Sequence, residues 1–88
     1  MRNPEEIREI GNLFRDRLPV DILDDVLGYI DHNEVPLAVE TLWDILQDYD
    51  VAITKSEYDQ LIYLAKEFGG TFFVPSSKEV AFLKKLIK

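Results

Sequence analysis

The chain has 88 residues, of which 47% are hydrophobic and 31% are charged, and its formal net charge is −7. A chain of this length closes one hydrophobic core, and its composition lies far from that of a disordered protein. The negative charge argues against nucleic-acid binding, because that affinity comes largely from Lys and Arg that displace counterions from phosphates. The absence of cysteine excludes disulfides, thiolate metal sites and a cysteine nucleophile.

The sequence contains no recognisable targeting or membrane segment. Its beginning lacks the apolar run of a signal peptide. No window approaches the roughly eighteen apolar residues of a membrane-spanning helix. We therefore expect a soluble, cytoplasmic protein without a membrane partner.

The first helix is predicted to begin at Asn3, which is a favourable N-cap residue. Pro4 then stands at the first helical position, and the acids of the first turn suit the positive end of the helix dipole. Glu5 and Arg8, three residues apart, can form an ion pair on the outer side. The buried face is expected to consist of Ile7, Ile10, Phe14 and Leu18.

Pro19 is predicted to open a second helix, which ends near the sequence DHNE at residues 31–34. Gly28 lowers helix stability relative to Ala, so it marks either a close helix crossing or a position where glycine is simply tolerated. The buried stripe of this helix is expected to consist of Leu23, Val26, Leu27 and Ile30.

Pro36 is predicted to start a third helix, in the stretch PLAVETLWDILQDYD. Trp43 falls about a quarter turn from the centre of the apolar arc, so we expect it at the boundary of the core. The outer face is expected to carry Leu37, Glu40, Thr41, Asp44, Gln47 and Asp48. The buried face is expected to consist of Ala38, Val39, Leu42, Ile45, Leu46 and Tyr49.

Two capping boxes predict the remaining helices. Thr54 with Glu57 starts a fourth helix that ends at the glycines of residues 69 and 70, and Ser76 with Glu79 starts a fifth. The TFFVP segment between them is expected to be extended or strand-like. Short connections favour antiparallel neighbours. We therefore predict an all-α, compact bundle of four to five short helices, a single domain over residues 1–88 in which the second and third helices are neighbours.

The negative charge is confined to the middle of the chain. Residues 1–17 hold four acids and four arginines, and residues 55–88 hold four acids and six lysines. Residues 18–54 hold nine acids and no Lys or Arg. Like charges on two adjacent helices repel each other and lower stability. Such a surface either promotes solubility or docks a basic partner.

Catalysis is not expected from these residues. His32 is the single histidine, and the serines that it would need occupy helix caps or first turns. Paired carboxylates can act in a glycosidase or a two-metal site, but both require a cleft that a small helical bundle rarely offers. We predict neither an enzyme nor a cofactor.

The stretch DYDVAITKSEYD, residues 48–59, places acids at the first, third and twelfth positions of an EF-hand loop. Ala52 and Ile53 stand where an oxygen ligand and a glycine belong, and the final Asp59 is shorter than the usual glutamate. A calcium-responsive module is therefore an alternative with an incomplete ligand set. We assign no metal ligands.

Residues 29–69, YIDHNEVPLAVETLWDILQDYDVAITKSEYDQLIYLAKEFG, resemble the MafI-type immunity proteins of bacterial polymorphic toxin systems. The shared elements are the DHNE turn, the LAVETLWDIL helix with acids on its outer face, the DYDVAIT connection and the EYDQLIYLAKEFG helix. The resemblance implies a cytoplasmic antitoxin without catalytic residues, which binds the C-terminal domain of a contact-dependent or Maf-type secreted toxin. In related systems that domain is often a nuclease, including RNases of the EndoU type.

We therefore predict a protein that neutralises a basic nuclease domain by covering its substrate groove with an acidic helical face. Trp43 or Tyr63 is the candidate aromatic anchor. The protein is expected to be a monomer or a small homo-oligomer that does not contact nucleic acid directly. A small acidic adaptor, a nucleic-acid mimic or the calcium-responsive module is the alternative. The predicted interface comprises Asp25, Asp31, Glu34, Glu40, Trp43, Asp44, Asp48 and Asp50.

Overall fold

Five helices make up the secondary structure of residues 3 to 88, the part of the chain that the computed structural model describes. Among these residues there is no strand, and an isolated parallel bridge joins Ile53 to Ile87. None of the helices in this range combines the length and apolar character that crossing a bilayer requires. The all-α prediction is confirmed. The helices are α1 (Glu5–Asn12), α2 (Val20–Asp31), α3 (Val35–Asp48), α4 (Lys55–Phe68) and α5 (Ser77–Lys84).

Local signals set the helix starts close to their predicted positions. In α4 the Thr54 hydroxyl accepts a hydrogen bond from the Glu57 N–H at 3.1 Å, and the Glu57 carboxylate accepts one from the Thr54 N–H at 2.9 Å. The predicted capping box of α5 is also complete. α1 begins one residue later than predicted, since its N-cap is Pro4. The Asn3 side chain still accepts a hydrogen bond from the Glu5 N–H at 3.0 Å.

α3 is the central helix of the bundle, because it contacts all four other helices. Burial of its apolar side chains favours folding. Tyr49, predicted to be buried, is 49% exposed. The prediction is wrong because α3 ends at Asp48, and Tyr49 is a non-helical C-cap residue. The buried residues of α3 are Ala38, Val39, Leu42, Trp43, Ile45 and Leu46.

The close approach between helices occurs at Gly11 rather than at Gly28. A Cβ atom at Gly11 would lie 2.9 Å from the Leu27 Cδ2 atom, whereas a Cβ atom at Gly28 would have no neighbour within 4 Å. α1 therefore packs closely on α2 at a residue without a side chain. Gly28 does not mark a close helix crossing, and glycine is simply tolerated at this position.

The TFFVP segment turns instead of forming a strand. The Phe73 N–H donates a hydrogen bond to the Gly69 carbonyl at 3.0 Å, and Gly70 has a φ of 58°. Only glycine adopts this φ without steric cost, so the chain reverses directly after α4. The turn places Phe73 in the core at 4% exposure and leaves Phe72 60% exposed. The prediction of an extended or strand-like segment is thus wrong as to a strand: residues 71 and 72 lie in the turn, and residues 73–75 have no regular secondary structure.

Candidate functional site

Three carboxylates form a row along the outer face of α3: Glu40, Asp44 and Asp48, at intervals of four residues. Asp44 and Asp48 are exposed and Glu40 is half-buried. Within residues 3 to 88, none of the three has an ion pair or a side-chain hydrogen bond. We call these three residues the α3 row.

The charges of the α3 row act on one another. Nearby protein atoms exclude water from one side of Asp44, and this desolvation raises the pKa of its carboxyl group. The negative charges of Glu40 and Asp48 raise that pKa further, as does the charge of Glu79 on α5. The structure therefore brings a fourth acid, from a different helix, to the row.

Two acids of the central segment have basic partners in or near α1. Arg8 Nη2 lies 3.0 Å from Asp31 Oδ1, and Arg15 Nη1 lies 3.0 Å from Asp24 Oδ1. The charge count over residues 18–54 does not reveal these two ion pairs, because the arginines come from the preceding segment of the chain. Asp31, a predicted interface residue, thus has an ion-pair partner within the fold.

The other predicted acids flank the row without joining it. Asp25 lies on α2, Glu34 is the N-cap residue of α3, and Asp50 follows α3 with a φ of 48°. All three are exposed, and none has an ion pair within residues 3 to 88. The charges that act on Asp44 do not include theirs. The set that the fold brings together is Glu40, Asp44, Asp48 and Glu79.

Trp43 is a core residue and is out of the reach of a partner. Its side chain is 1% exposed, and its Nε1 donates a hydrogen bond to the Leu61 carbonyl at 3.1 Å. The Phe73 ring meets the indole edge to face, with ring centroids 5.2 Å apart. The boundary prediction is wrong because α4 and the turn that follows it cover this side of α3. Tyr63 is half-buried, and its hydroxyl donates a hydrogen bond to Glu6 Oε1 at 2.7 Å.

Residues 48–59 do not form a calcium loop. Asp48 is the last residue of α3, Thr54 caps α4, and Asp59 lies inside α4, where it pairs with Lys55 at 2.6 Å. The three acids therefore cannot surround one ion. In the described part of the chain, no group of three or more His, Cys, Asp or Glu side chains is placed to hold a metal ion.

Sequence reasoning missed two neighbours of the α3 row. The capping box located Glu79 at a helix start, but its closeness to Asp44 depends on how α5 packs against α3. Phe72 lines a small hollow with Glu34 and Leu37 at the start of α3. A signal for Phe72 was present, because two consecutive phenylalanines on one short segment rarely both face the core.

Comparisons with known proteins give no family assignment. No protein-family model, curated protein or solved structure matches the chain. The likeness of residues 29–69 to MafI-type immunity proteins therefore stays a prediction. A functional proposal for this chain depends on the residues of the site themselves.

Proposed function

We propose that this protein is an immunity protein, which binds and neutralises the C-terminal domain of a secreted or contact-dependent toxin through the α3 row. The observation that carries the proposal is that three aligned carboxylates have no basic partner within residues 3 to 88. The likeness of residues 29–69 to MafI-type immunity proteins supports a toxin as the partner. On this proposal the chain acts in the cytoplasm by binding alone, without catalytic residues or a cofactor.

The proposed toxin domain is a basic nuclease, for which an acidic face is the complementary surface. A groove that holds RNA phosphates must be positively charged. Carboxylates that face such a groove accelerate the encounter and fix the register of the complex. A protein seated there excludes the RNA substrate. Close charge pairs in the barnase–barstar complex, a different pair of proteins, couple by about 1.5–7 kcal/mol.

The position of the row on α3 favours this role. The opposite face of α3 is buried and includes Trp43, so the backbone that carries the carboxylates is held by the core. Because successive members of the row are four residues apart, they are spaced by about 6 Å along the helix axis. Charges on a rigid helix lose little conformational freedom when a partner binds, which favours affinity.

The proposal is tested by changing Glu40, Asp44 and Asp48 to Lys in one variant. The partner for the test is the purified C-terminal domain of a secreted protein encoded beside this chain, assayed for RNA cleavage. The unmodified chain is expected to inhibit cleavage. The variant is expected to bind at least about 100-fold more weakly, because three charge pairs across the interface become repulsive.

A matched control separates the α3 row from the total charge. Glu9, Asp16 and Asp21 are exposed and have no ion pair within residues 3 to 88. Changing these three to Lys alters the net charge equally and is expected to preserve inhibition. Equal inhibition by the α3-row variant and the unmodified chain would refute the proposal. Binding of the domain without inhibition would favour the acidic adaptor instead.

A further inference from the structure

A small hollow lies at the turn between α2 and α3, beside the start of the α3 row. Its volume is about 130 Å³. Pro36, which lines it, is four residues before Glu40 and therefore continues the row by one helical turn. The hollow is lined by Asn33, Glu34, Pro36, Leu37 and Phe72.

Phe72 gives the hollow an aromatic wall that has no ring partner. Its side chain is 60% exposed, and within residues 3 to 88 no aromatic ring or cation lies against it. The neighbouring Phe73 fills the core, so the turn holds Phe72 on the outside. The ring can therefore receive a group from another molecule.

The polar wall of the hollow also has free hydrogen-bonding capacity. Glu34 is the N-cap residue of α3, yet its side chain makes no capping hydrogen bond. Across residues 3 to 88, neither the Glu34 carboxylate nor the Asn33 amide has a side-chain hydrogen bond. Glu34, which carries a negative charge, and Asn33 thus line the same hollow as Phe72.

We propose that this hollow binds an arginine side chain of a partner protein. The aliphatic stem of the arginine packs on Pro36 and Leu37, and its guanidinium lies over the face of Phe72. In that position the guanidinium N–H groups donate hydrogen bonds to the Glu34 carboxylate and the Asn33 side-chain oxygen. Arginine fits better than lysine, because a flat guanidinium stacks on a ring and donates in its own plane at the same time.

The hollow would give the acidic face the aromatic anchor that Trp43 cannot provide. A basic protein lying along the α3 row would bring an arginine to the hollow at the end of the row. Assigning that arginine to the toxin domain rests on the proposed function. The preference of the hollow for a guanidinium does not rest on the proposed function, because this preference depends only on the residues that line the hollow.

The test uses N-acetyl-arginine N-methylamide as the probe and the full chain labelled with ¹⁵N. The expected result is a saturable set of NMR shift changes confined to the amide signals of residues 33–35, 37 and 72. The corresponding citrulline derivative, which has the same shape without the charge, is expected to leave these signals unchanged. Phe72→Leu and Glu34→Gln are each expected to weaken probe binding by about three-fold or more.

Two variants at matched positions serve as controls. Phe82 is 42% exposed, but the ammonium groups of Lys78 and Lys85 lie 5.7 Å and 5.2 Å from its ring centroid. Its ring is thus already occupied by cations of the chain, and Phe82→Leu is expected to leave probe binding unchanged. Glu9→Gln removes one exposed charge elsewhere and is also expected to have no effect.

The proposal would be overturned if the shift changes were spread over the exposed acids and were the same in Phe72→Leu as in the unmodified chain. Saturation by the citrulline derivative would overturn it as well. Because the titration contains no toxin domain, its outcome is independent of the inhibition assay. If the chain inhibits the toxin domain but the probe causes no local shift changes, only the arginine site is refuted. If the probe causes the local shift changes but the chain does not inhibit the toxin domain, only the toxin as partner is refuted.

Discussion

Two carboxylates of the molecule, Glu57 and Asp44, occupy opposite electrostatic environments. The Glu57 oxygens lie 2.6 Å and 2.9 Å from the Arg17 guanidinium, and hydrogen bonding to this arginine lowers the pKa of Glu57. Arg17 also donates hydrogen bonds to the carbonyls of Leu13 and Ala52. The pKa of Asp44, by contrast, is raised, first by partial desolvation of its carboxyl group and then by the charges of neighbouring acids.

The difference shows which carboxylates the fold uses for its own stability. Glu57 ties the segment after α1 to the start of α4 and completes the capping box there. Its charge therefore favours the folded state. The charge of Asp44 opposes the folded state, because folding partly desolvates its carboxylate and also places it near Glu40, Asp48 and Glu79. Stability explains Glu57 but does not explain the α3 row, which is the reason for assigning the row to a partner.

The largest expected effect on stability comes from breaking the Arg17–Glu57 contact. Glu57→Gln is expected to lower the free energy of unfolding by about 2 kcal/mol, because it removes charged hydrogen bonds to a side chain that is only 12% exposed. Urea denaturation at neutral pH measures the change. Glu9→Gln is the control and is expected to have almost no effect. A loss equal to that of the control would show that the contact contributes nothing to folding.

The pH dependence of stability is expected to reflect both carboxylates with opposite signs. The folded-state pKa of Glu57 is lowered, so its contribution is present above the ordinary glutamate pKa of about 4.3 and is lost as the pH falls through the folded-state pKa. The folded-state pKa of Asp44 is raised, so its charge costs stability at neutral pH and that cost disappears on acidification.

Denaturation curves recorded from neutral to acidic pH separate these contributions. Glu57→Gln is expected to reduce the loss of stability below about pH 4.3. In the unmodified chain, protonation of Asp44 at acidic pH stabilises the folded state. Asp44→Asn removes this contribution, so its free energy of unfolding is expected to fall more steeply as the pH decreases. If the free energy of unfolding of both variants depended on pH in the same way as that of the unmodified chain, the opposite contributions of Glu57 and Asp44 would be contradicted.

A smaller stabilisation is expected when the α3 row loses one charge. Asp44→Asn should raise the free energy of unfolding at neutral pH by about 0.5 kcal/mol, since it relieves repulsion at two i,i+4 spacings on an exposed face. Asp21→Asn provides an exposed control on α2. Added salt should shrink the gain, because it screens the same repulsion. Destabilisation by Asp44→Asn would mean that the row supports the fold.

The smallest effect is expected at Asp31. Its side chain is 69% exposed, so the ion pair with Arg8 is expected to contribute little. Asp31 is also the last residue of α2, where a negative charge opposes the helix dipole. Asp31→Asn should therefore change the free energy of unfolding by about 0.2 kcal/mol or less. A large loss measured by urea denaturation would show that the α1–α2 ion pairs are essential to the fold.

Local patterns in the sequence predicted most of the fold. Thr54 with Glu57, and Ser76 with Glu79, set two helix starts within the chain segment where they act. The row of Glu40, Asp44 and Asp48 follows from helical spacing alone. These features depend on neighbours within about one turn, so a single sequence reveals them.

Features that depend on distant contacts were not predictable in this way. Trp43 became a core residue because α4 and Phe73 cover it, and the helical wheel of α3 contains no information about either. The charge tally for residues 18–54 likewise missed Arg8 and Arg15, which reach the acids from another segment. The corrected site is smaller than the predicted one, and its three α3 carboxylates have no ion pair within residues 3 to 88.

The most direct measurement is the association rate between the toxin domain and a neutralised variant, Glu40→Gln with Asp44→Asn and Asp48→Asn, over a range of salt concentrations. The unmodified chain should associate at least about 10-fold faster than this variant at low salt, and the difference should shrink as salt screens the charges. The control with Glu9→Gln, Asp16→Asn and Asp21→Asn should associate nearly as fast as the unmodified chain. Equal rates for the unmodified chain and the α3-row variant at low salt would contradict the role assigned to these carboxylates.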